Sequence, residues 1–177
     1  KERNLSLTAE GARNTPSVWV SAVTRDCISA GRDGWDGGAA YHNVTVEAMA
    51  FGNTGDALTA IDELVFKKKA FTIAQLLEAA QQNFVGFDDL HIALSHCPKY
   101  GMNIDEADAN ARRVLSLLAD ICEEENRKGK PNFLPSLHTL DTDVILGGRY
   151  YATLDGRLAG EPINKNARPA NATRTFG

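Results

Sequence analysis

The sequence predicts a mostly helical chain that carries one or two strands. Three observations predict it. Apolar residues recur at helical spacing, with capping residues in front of them, through most of the stretch from Asn53 to Lys128. Only two stretches, "VTVEAMAF" and "FLPSLHTLDTDVIL", read as extended. One or two strands do not make a stable sheet by themselves. Either the domain is all-α with stray extended pieces, or the strands belong to a sheet completed by chain outside this one.

Residues 1–15 are polar and show no periodicity. "SVWVSAVTRDCISAG" reads as a helix, with Trp19, Ala22, Val23 and Cys27 three and four apart and Gly31 as the stop. "GRDGWDGGAAYHN" is a glycine-punctuated loop of the kind that lets backbone approach a neighbour or ligand closely. "VTVEAMAF" alternates at first and turns helical later. "NTGDALTAIDELVFKKK" opens on the capping types Asn, Thr and Asp. It carries an apolar face of Leu58, Ile61, Leu64 and Val65 and ends in lysines that suit the helix dipole. "FTIAQLLEAAQQNF" has Thr72 and Gln75 spaced as a capping box, with Phe71 placed as a staple. "DDLHIALSHC" is a short helix that stops before Pro98. "NIDEADANARRVLSLLADICEEENRK" is the longest helix, with a stripe of Val114, Leu115, Leu118, Ile121 and Cys122. "FLPSLHTLDTDVIL" then runs extended into "YATLDGRLAGEP", which Asp155-Gly156, Gly160 and Pro162 mark as a loop, not core.

The bulk properties exclude some functions. At 177 residues the chain can form one domain with a real core, and no internal boundary or repeat is visible. A net charge of −4 supplies no footprint for nucleic acid or an anionic membrane. No apolar run approaches a bilayer span, and no signal peptide is visible. Cys27, Cys97 and Cys122 are odd in number and form no CxxC pair, so free thiols in a reducing cytoplasm are expected. Asn4, Asn43 and Asn171 stand in glycosylation sequons, which carry little weight without a secretion signal. The first residue is Lys1 and the last Gly177, and both ends read as cut.

Few constellations suggest chemistry. His91, His96 and Cys97 cluster, but the histidines are five apart and no second ligand pair follows, so no metal is expected there. "EEEN" at 123–126 reads as a solvated helix end, and Cys27 and Cys122 as buried and inert. "GWDGG" is too irregular for a phosphate cradle, and no nucleophile elbow, P-loop or zincin motif occurs. "LHTLDTD" is more suggestive. On a strand, His138, Leu140 and Thr142 share one face and Thr139, Asp141 and Asp143 the other. That pattern fits a strand end at a cleft and equally an edge strand in solvent.

"ATLDGRLAGEP" resembles the Ala-Thr-Pro-Asp-Gly-Arg-x-Ala-Gly-Glu-Pro signature of glycyl radical enzymes, the pyruvate formate-lyase family. Other stretches resemble the same family in the same order. "TRDCISAGRDGWDGGAAYHN" looks like its helix and glycine-rich loop before Tyr-Asn. "GNTGDALTAIDELVFKKKAFTIAQLLEAAQQNFVGFDDL" is similar to its Ala-Asp-Ser-Leu-Ala-Ala-Ile helix, Val-Phe-x-x-Lys turn and next helix. "CPKYGMNIDEAD" looks like its Pro-Lys-Tyr-Gly-Asn-Asp turn, and "FLPSLHTLDTDVILGG" like the extended segment before the signature.

The resemblance implies an α/β fold, part of a ten-stranded α/β barrel made of two half-barrels with the active site inside. It implies a radical stored on a backbone glycine, passed to a cysteine that abstracts hydrogen from substrate. A separate iron–sulfur activating enzyme using S-adenosylmethionine installs the radical. The matched residues fall between the cysteine loop and the glycyl loop, so no catalytic residue is assigned, and the partners are the remainder of the same enzyme, that activating enzyme and a small-molecule substrate, with a homodimer at full length. In diol- and glycerol-dehydratase-like members a Tyr and a Val fall where His138 and Leu140 stand, which makes these two the candidate substrate-binding residues; an ordinary histidine near the barrel wall is the alternative. Leu154 replaces the signature's Pro, and "INKNARPANATRTFG" departs from the family after Pro162. Three readings stand: a lyase or dehydratase fragment inactive alone, a formate acetyltransferase fragment, and a non-catalytic half-barrel binding module.

Overall fold

The computed structural model describes residues 10–129, 131–137, 142–165 and 167–169. The chain forms two compact units, Lys1–Val46 with Ala119–Ser136 and Glu47–Leu118 with Leu137–Gly177.

In the first unit the expected single helix is two short ones, α1 (Val18–Val23) and α2 (Cys27–Ala30). Thr24 is extended and Asp26 sits at φ +73°, a left-handed conformation no helix continues through. The predicted apolar face therefore breaks apart: Cys27 is buried, whereas Trp19 and Val23 are exposed. The glycine-rich loop folds around the Asp33 carboxylate. That group accepts hydrogen bonds from Ser17 N (2.8 Å), Ser21 Oγ (2.8 Å) and Trp35 N (2.9 Å). These bonds, the Trp35 amide foremost, hold Asp33 below the usual carboxylate range. A fixed anion at its centre makes the loop a poor phosphate cradle.

Strands β1 (Asn43–Ala48) and β2 (Asn132–Leu137) pair into a two-stranded sheet. β1 begins the stretch that alternated in sequence, and its switch to helix at Phe51 is the change of period read there. Asn126 holds β2 from the side, accepting from Phe133 N at 2.6 Å and donating to Phe133 O at 2.9 Å.

The second unit is helical. α3 (Phe51–Ile61) runs on as a wider π-type turn over Asp62–Lys67, where Lys68 N reaches Glu63 O at 2.9 Å. α4 (Ile73–Gln81) carries the predicted capping box of Thr72 and Gln75. Phe71 packs on the core cluster that contains Leu76, Phe84, Leu90 and Leu94. α5 (Asp88–Ser95) stops before Pro98 as expected. α6 (Asp105–Arg127) is the longest helix, and its section in this unit buries the small side chains Ala107 and Ala111. Leu117 is exposed, and in the first-unit section Ile121 is exposed while Cys122 is buried.

Two expectations are corrected here. Asn53, Thr54 and Asp56 do not cap α3; the helix starts earlier, behind Ala50 at φ +56°, and Asn53, Asp56 and Thr59 form its buried face together with Ala60. Leu58, Ile61 and Val65 are only half-buried, because the partner helix comes in over the polar side. A Cβ on Gly55 would lie 2.7 Å from Ala111 Cα, so this glycine permits the close approach of α3 and α6. The second correction is in the extended segment. Asp143–Gly147 is a short helix, α7, so Asp143 does not stand on a strand face.

Candidate functional site

The signature loop is irregular, as predicted, and its ends are exposed, but its charged centre is not. Asp155 and Arg157 are each 5% exposed. Within the loop, Gly156 N donates to Thr153 O (3.0 Å) and Thr153 N to Arg157 O (3.0 Å). Gly156 sits at φ +94°, which only glycine adopts without strain. The Arg157 guanidinium gathers backbone carbonyls: Nη1 donates to Leu158 O (3.0 Å) and Glu161 O (2.6 Å), and Nη2 to Tyr151 O. Its Nε reaches Thr153 Oγ1 at 3.3 Å. A planar fork of five donors is suited to closing a loop in this way.

Asp155 ties that loop to the helices. Its Oδ1 accepts from Thr153 Oγ1 and from Arg157 N at 3.4 Å. Its Oδ2 accepts from Asn53 Nδ2 at 2.6 Å, and its carbonyl from Lys99 Nζ at 2.6 Å. Lys99 is 2% exposed. Asn53 also accepts from Asn164 N at 2.6 Å, while Asn164 Oδ1 accepts from the amides of Gly52 (3.1 Å) and Asn53 (3.3 Å). Asn164 thus satisfies the first-turn amides of α3 that Ala50 has no side chain to cap.

Asp56 lies on the same face of α3, one turn beyond Asn53. It is wholly buried, and its Oδ1 accepts from Tyr100 N at 2.6 Å. Its Oδ2 takes no hydrogen bond from the described residues. Burial pushes its carboxyl up to about 7; the Tyr100 amide and Lys99 oppose the rise, and Asp155 and Asp108 add to it.

Beside this framework runs a groove of about 760 Å³, with Asn53, Thr54, Leu77, Tyr150, Thr153 and Arg157 in its walls. The lining is mostly apolar with a few converging polar groups, which is the chemistry of a small-molecule or peptide-binding surface.

His138 and Leu140, the predicted substrate-facing pair, lie outside the described residues. His91, His96 and Cys97 each have a local partner. His91 stacks on Phe84 with centroids 4.7 Å apart, and its Nε2 meets Gly156 O at 2.8 Å. His96 Nδ1 meets Ile92 O at 2.8 Å, and Cys97 Sγ donates to Ala93 O at 3.3 Å. Burial raises the Cys97 thiol, and all three cysteines are buried. Sequence reasoning missed Asn53, Asp56, Lys99 and Asn164 as members of one network. Asn53 and Asp56 did carry a signal, since they fall three apart inside a helix with Thr59 and Ala60 continuing the face.

The pyruvate formate lyase-like family model matches residues 8–147. The trans-4-hydroxy-L-proline dehydratase of Clostridioides difficile is 30% identical over 94% of this chain and 21% of its own length. The (2S)-3-sulfopropanediol dehydratase of Klebsiella oxytoca is 29% identical over 88% of this chain and 19% of its own. Among solved structures, a glycyl radical enzyme from Archaeoglobus fulgidus superimposes with a TM-score of 0.81 at 32% identity, over 93% of this chain and 21% of that one. The glycerol-bound B12-independent glycerol dehydratase of Clostridium butyricum gives 0.80 at 30% identity, over 92% and 21%. The chain spans about a fifth of the length of the curated relatives it matches. The described residues fold as part of the α/β barrel of glycyl radical enzymes. No helix among them is long and apolar enough to cross a membrane. On matching sequence and matching fold, the chain belongs to the pyruvate formate lyase-like family.

Proposed function

We propose that this chain is a stretch of a glycyl radical lyase or dehydratase that acts on a small polar metabolite. The observation that carries the reading is the set of relatives matched over most of the chain, among which dehydratases stand beside a sulfite-lyase and a decarboxylase subunit. They favour this reading over a formate acetyltransferase. The buried Asp155 and Arg157 are taken up in hydrogen bonds that close the signature loop, so no reacting group is assigned to them.

On this reading the glycyl radical and the cysteine it activates belong to parts of the enzyme outside this chain, and their chemistry is hydrogen abstraction from substrate. A radical-SAM activating enzyme installs the radical, and the full-length enzyme is a cytoplasmic homodimer working anaerobically. His138 hydrogen-bonds a substrate hydroxyl or carboxylate, or moves a proton there, and Leu140 lines the same face of the cavity.

One experiment tests both statements. The isolated chain and the full-length enzyme, the latter with and without His138→Ala, are each incubated anaerobically with activating enzyme and S-adenosylmethionine. The isolated chain is expected to give no glycyl radical doublet by electron paramagnetic resonance and no turnover. The full-length variant is expected to keep the doublet while losing turnover or changing substrate preference. A doublet from the isolated chain overturns the fragment reading, and unchanged kinetics return His138 to an ordinary wall position.

A further inference from the structure

Asn53, Asp155, Lys99, Tyr100 and Asp56 close a ring. It leaves α3 at the Asn53 side chain and crosses to the Asp155 carboxylate at 2.6 Å. From the Asp155 carbonyl it passes to Lys99 Nζ at 2.6 Å, then along the backbone to Tyr100 N. The Tyr100 amide returns it to α3 at Asp56 Oδ1, 2.6 Å away. Two side chains of one helix face, three residues apart, thus hold both ends of the connection that fixes the Thr153–Arg157 turn. Thr153, Leu154 and Arg157 from that turn line the groove.

We propose that Asp56 is a proton-dependent latch on this turn, a positioning residue that acts through the Lys99–Tyr100 backbone and holds the turn tightest when its carboxyl carries a proton.

The geometry gives the reason. An ionised Asp56 would place charge on Oδ2, a fully buried oxygen with no hydrogen bond from the described residues. The charged groups that act on it are Lys99, which compensates it, and Asp155 of the turn and Asp108 of α6, which repel it. Asp108 Oδ1 already accepts Gly101 N at 2.9 Å, beside the ring. Two further titratable groups touch the turn, His91 of α5 through Gly156 O and Glu161 through Leu158 N. Burial pushes the Asp56 carboxyl to about 7. Its folded value therefore lies above its unfolded one, and the folded ring binds the extra proton between the two. Stability from this group is greatest at low pH and falls as pH rises toward 7. The latch does not depend on which substrate the enzyme takes.

The test is hydrogen–deuterium exchange on the native protein that contains this chain, read on a peptide spanning residues 151–161 and corrected for the intrinsic pH dependence of exchange. Protection is expected to fall roughly tenfold per pH unit from about pH 5 to about pH 7 and to level off above. Asp56→Asn is expected to abolish the slope, and His91→Gln to keep it. A flat wild-type profile, a slope that survives in Asp56→Asn, or one that vanishes in His91→Gln overturns the latch. If Asp56→Asn does not fold, ¹³C titration of the wild-type Asp56 carboxyl decides: a midpoint near 7 supports it and one near 4 overturns it.

Discussion

The second unit buries charged side chains alongside its apolar core, whereas the first leaves large apolar side chains in the open. In the second, Asp56, Lys99, Asp155 and Arg157 are all at most 5% exposed. In the first, Trp19 and Val23 stand 87% and 86% exposed. The contrast shows that burial follows partners before it follows residue type. Among the described residues of the second unit, hydrogen-bond partners arrive from distant sequence: Asn53 meets Asp155, and Lys99 reaches across to the Asp155 carbonyl. A buried polar group so matched contributes about 1 kcal/mol, while one left unmatched costs about 1–3 kcal/mol. In the first unit the two short helices end before a continuous apolar stripe can form, and the described residues lay nothing over Trp19 and Val23.

Three variants break or sharpen that contrast. Arg157→Met should have the largest effect, because it strands the carbonyls of Tyr151, Leu158 and Glu161 and removes the closure of the loop. A loss on the order of 4 kcal/mol is expected by urea denaturation. A loss below about 1 kcal/mol would mean those carbonyls find water, and the second unit would no longer be distinguished by its buried polar framework. Gly55→Ala comes next, at about 2 kcal/mol, since the new methyl meets the Ala111 backbone and cannot push it aside cheaply. A neutral outcome would show that α3 and α6 have room to separate. The smallest effect is expected from the double variant Trp19→Ser, Val23→Ser in this chain, within about 0.5 kcal/mol. A larger cost would show that another part of the protein covers this face.

Much of the second unit was legible in the sequence because its signals are local. The Thr72–Gln75 box, the stop before Pro98 and the acidic start of α6 depend on neighbours within a turn or so, and the structure keeps all three. The Asp155-Gly156 turn was legible for the same reason, since a positive φ selects glycine wherever the loop sits. Asn53 and Asp56 were misread because Asn and Asp are good caps, and nothing local says that Asn164 has taken over that work from more than a hundred residues away. The break between α1 and α2 was missed for a different reason. Trp19, Ala22, Val23 and Cys27 keep helical spacing straight through it, and the left-handed Asp26 that interrupts them leaves the apolar period untouched. Of the candidate site, the signature loop was legible as a motif and its burial was not.

By itself the sequence determined the capped helices of the second unit, the turn at Gly156, the family and the absence of a charge pattern for nucleic acid. Those properties rest on residue spacing, on backbone sterics and on motif order, and none needs to know what packs where. The tertiary structure alone decided that Lys99, Asp155 and Arg157 are interior, that a glycine in α3 is a helix contact, and that Asp56 sits buried with one unbonded oxygen. Those properties depend on which distant segment arrives at each side chain, and a charged residue looks the same in sequence whether water or a carbonyl will meet it.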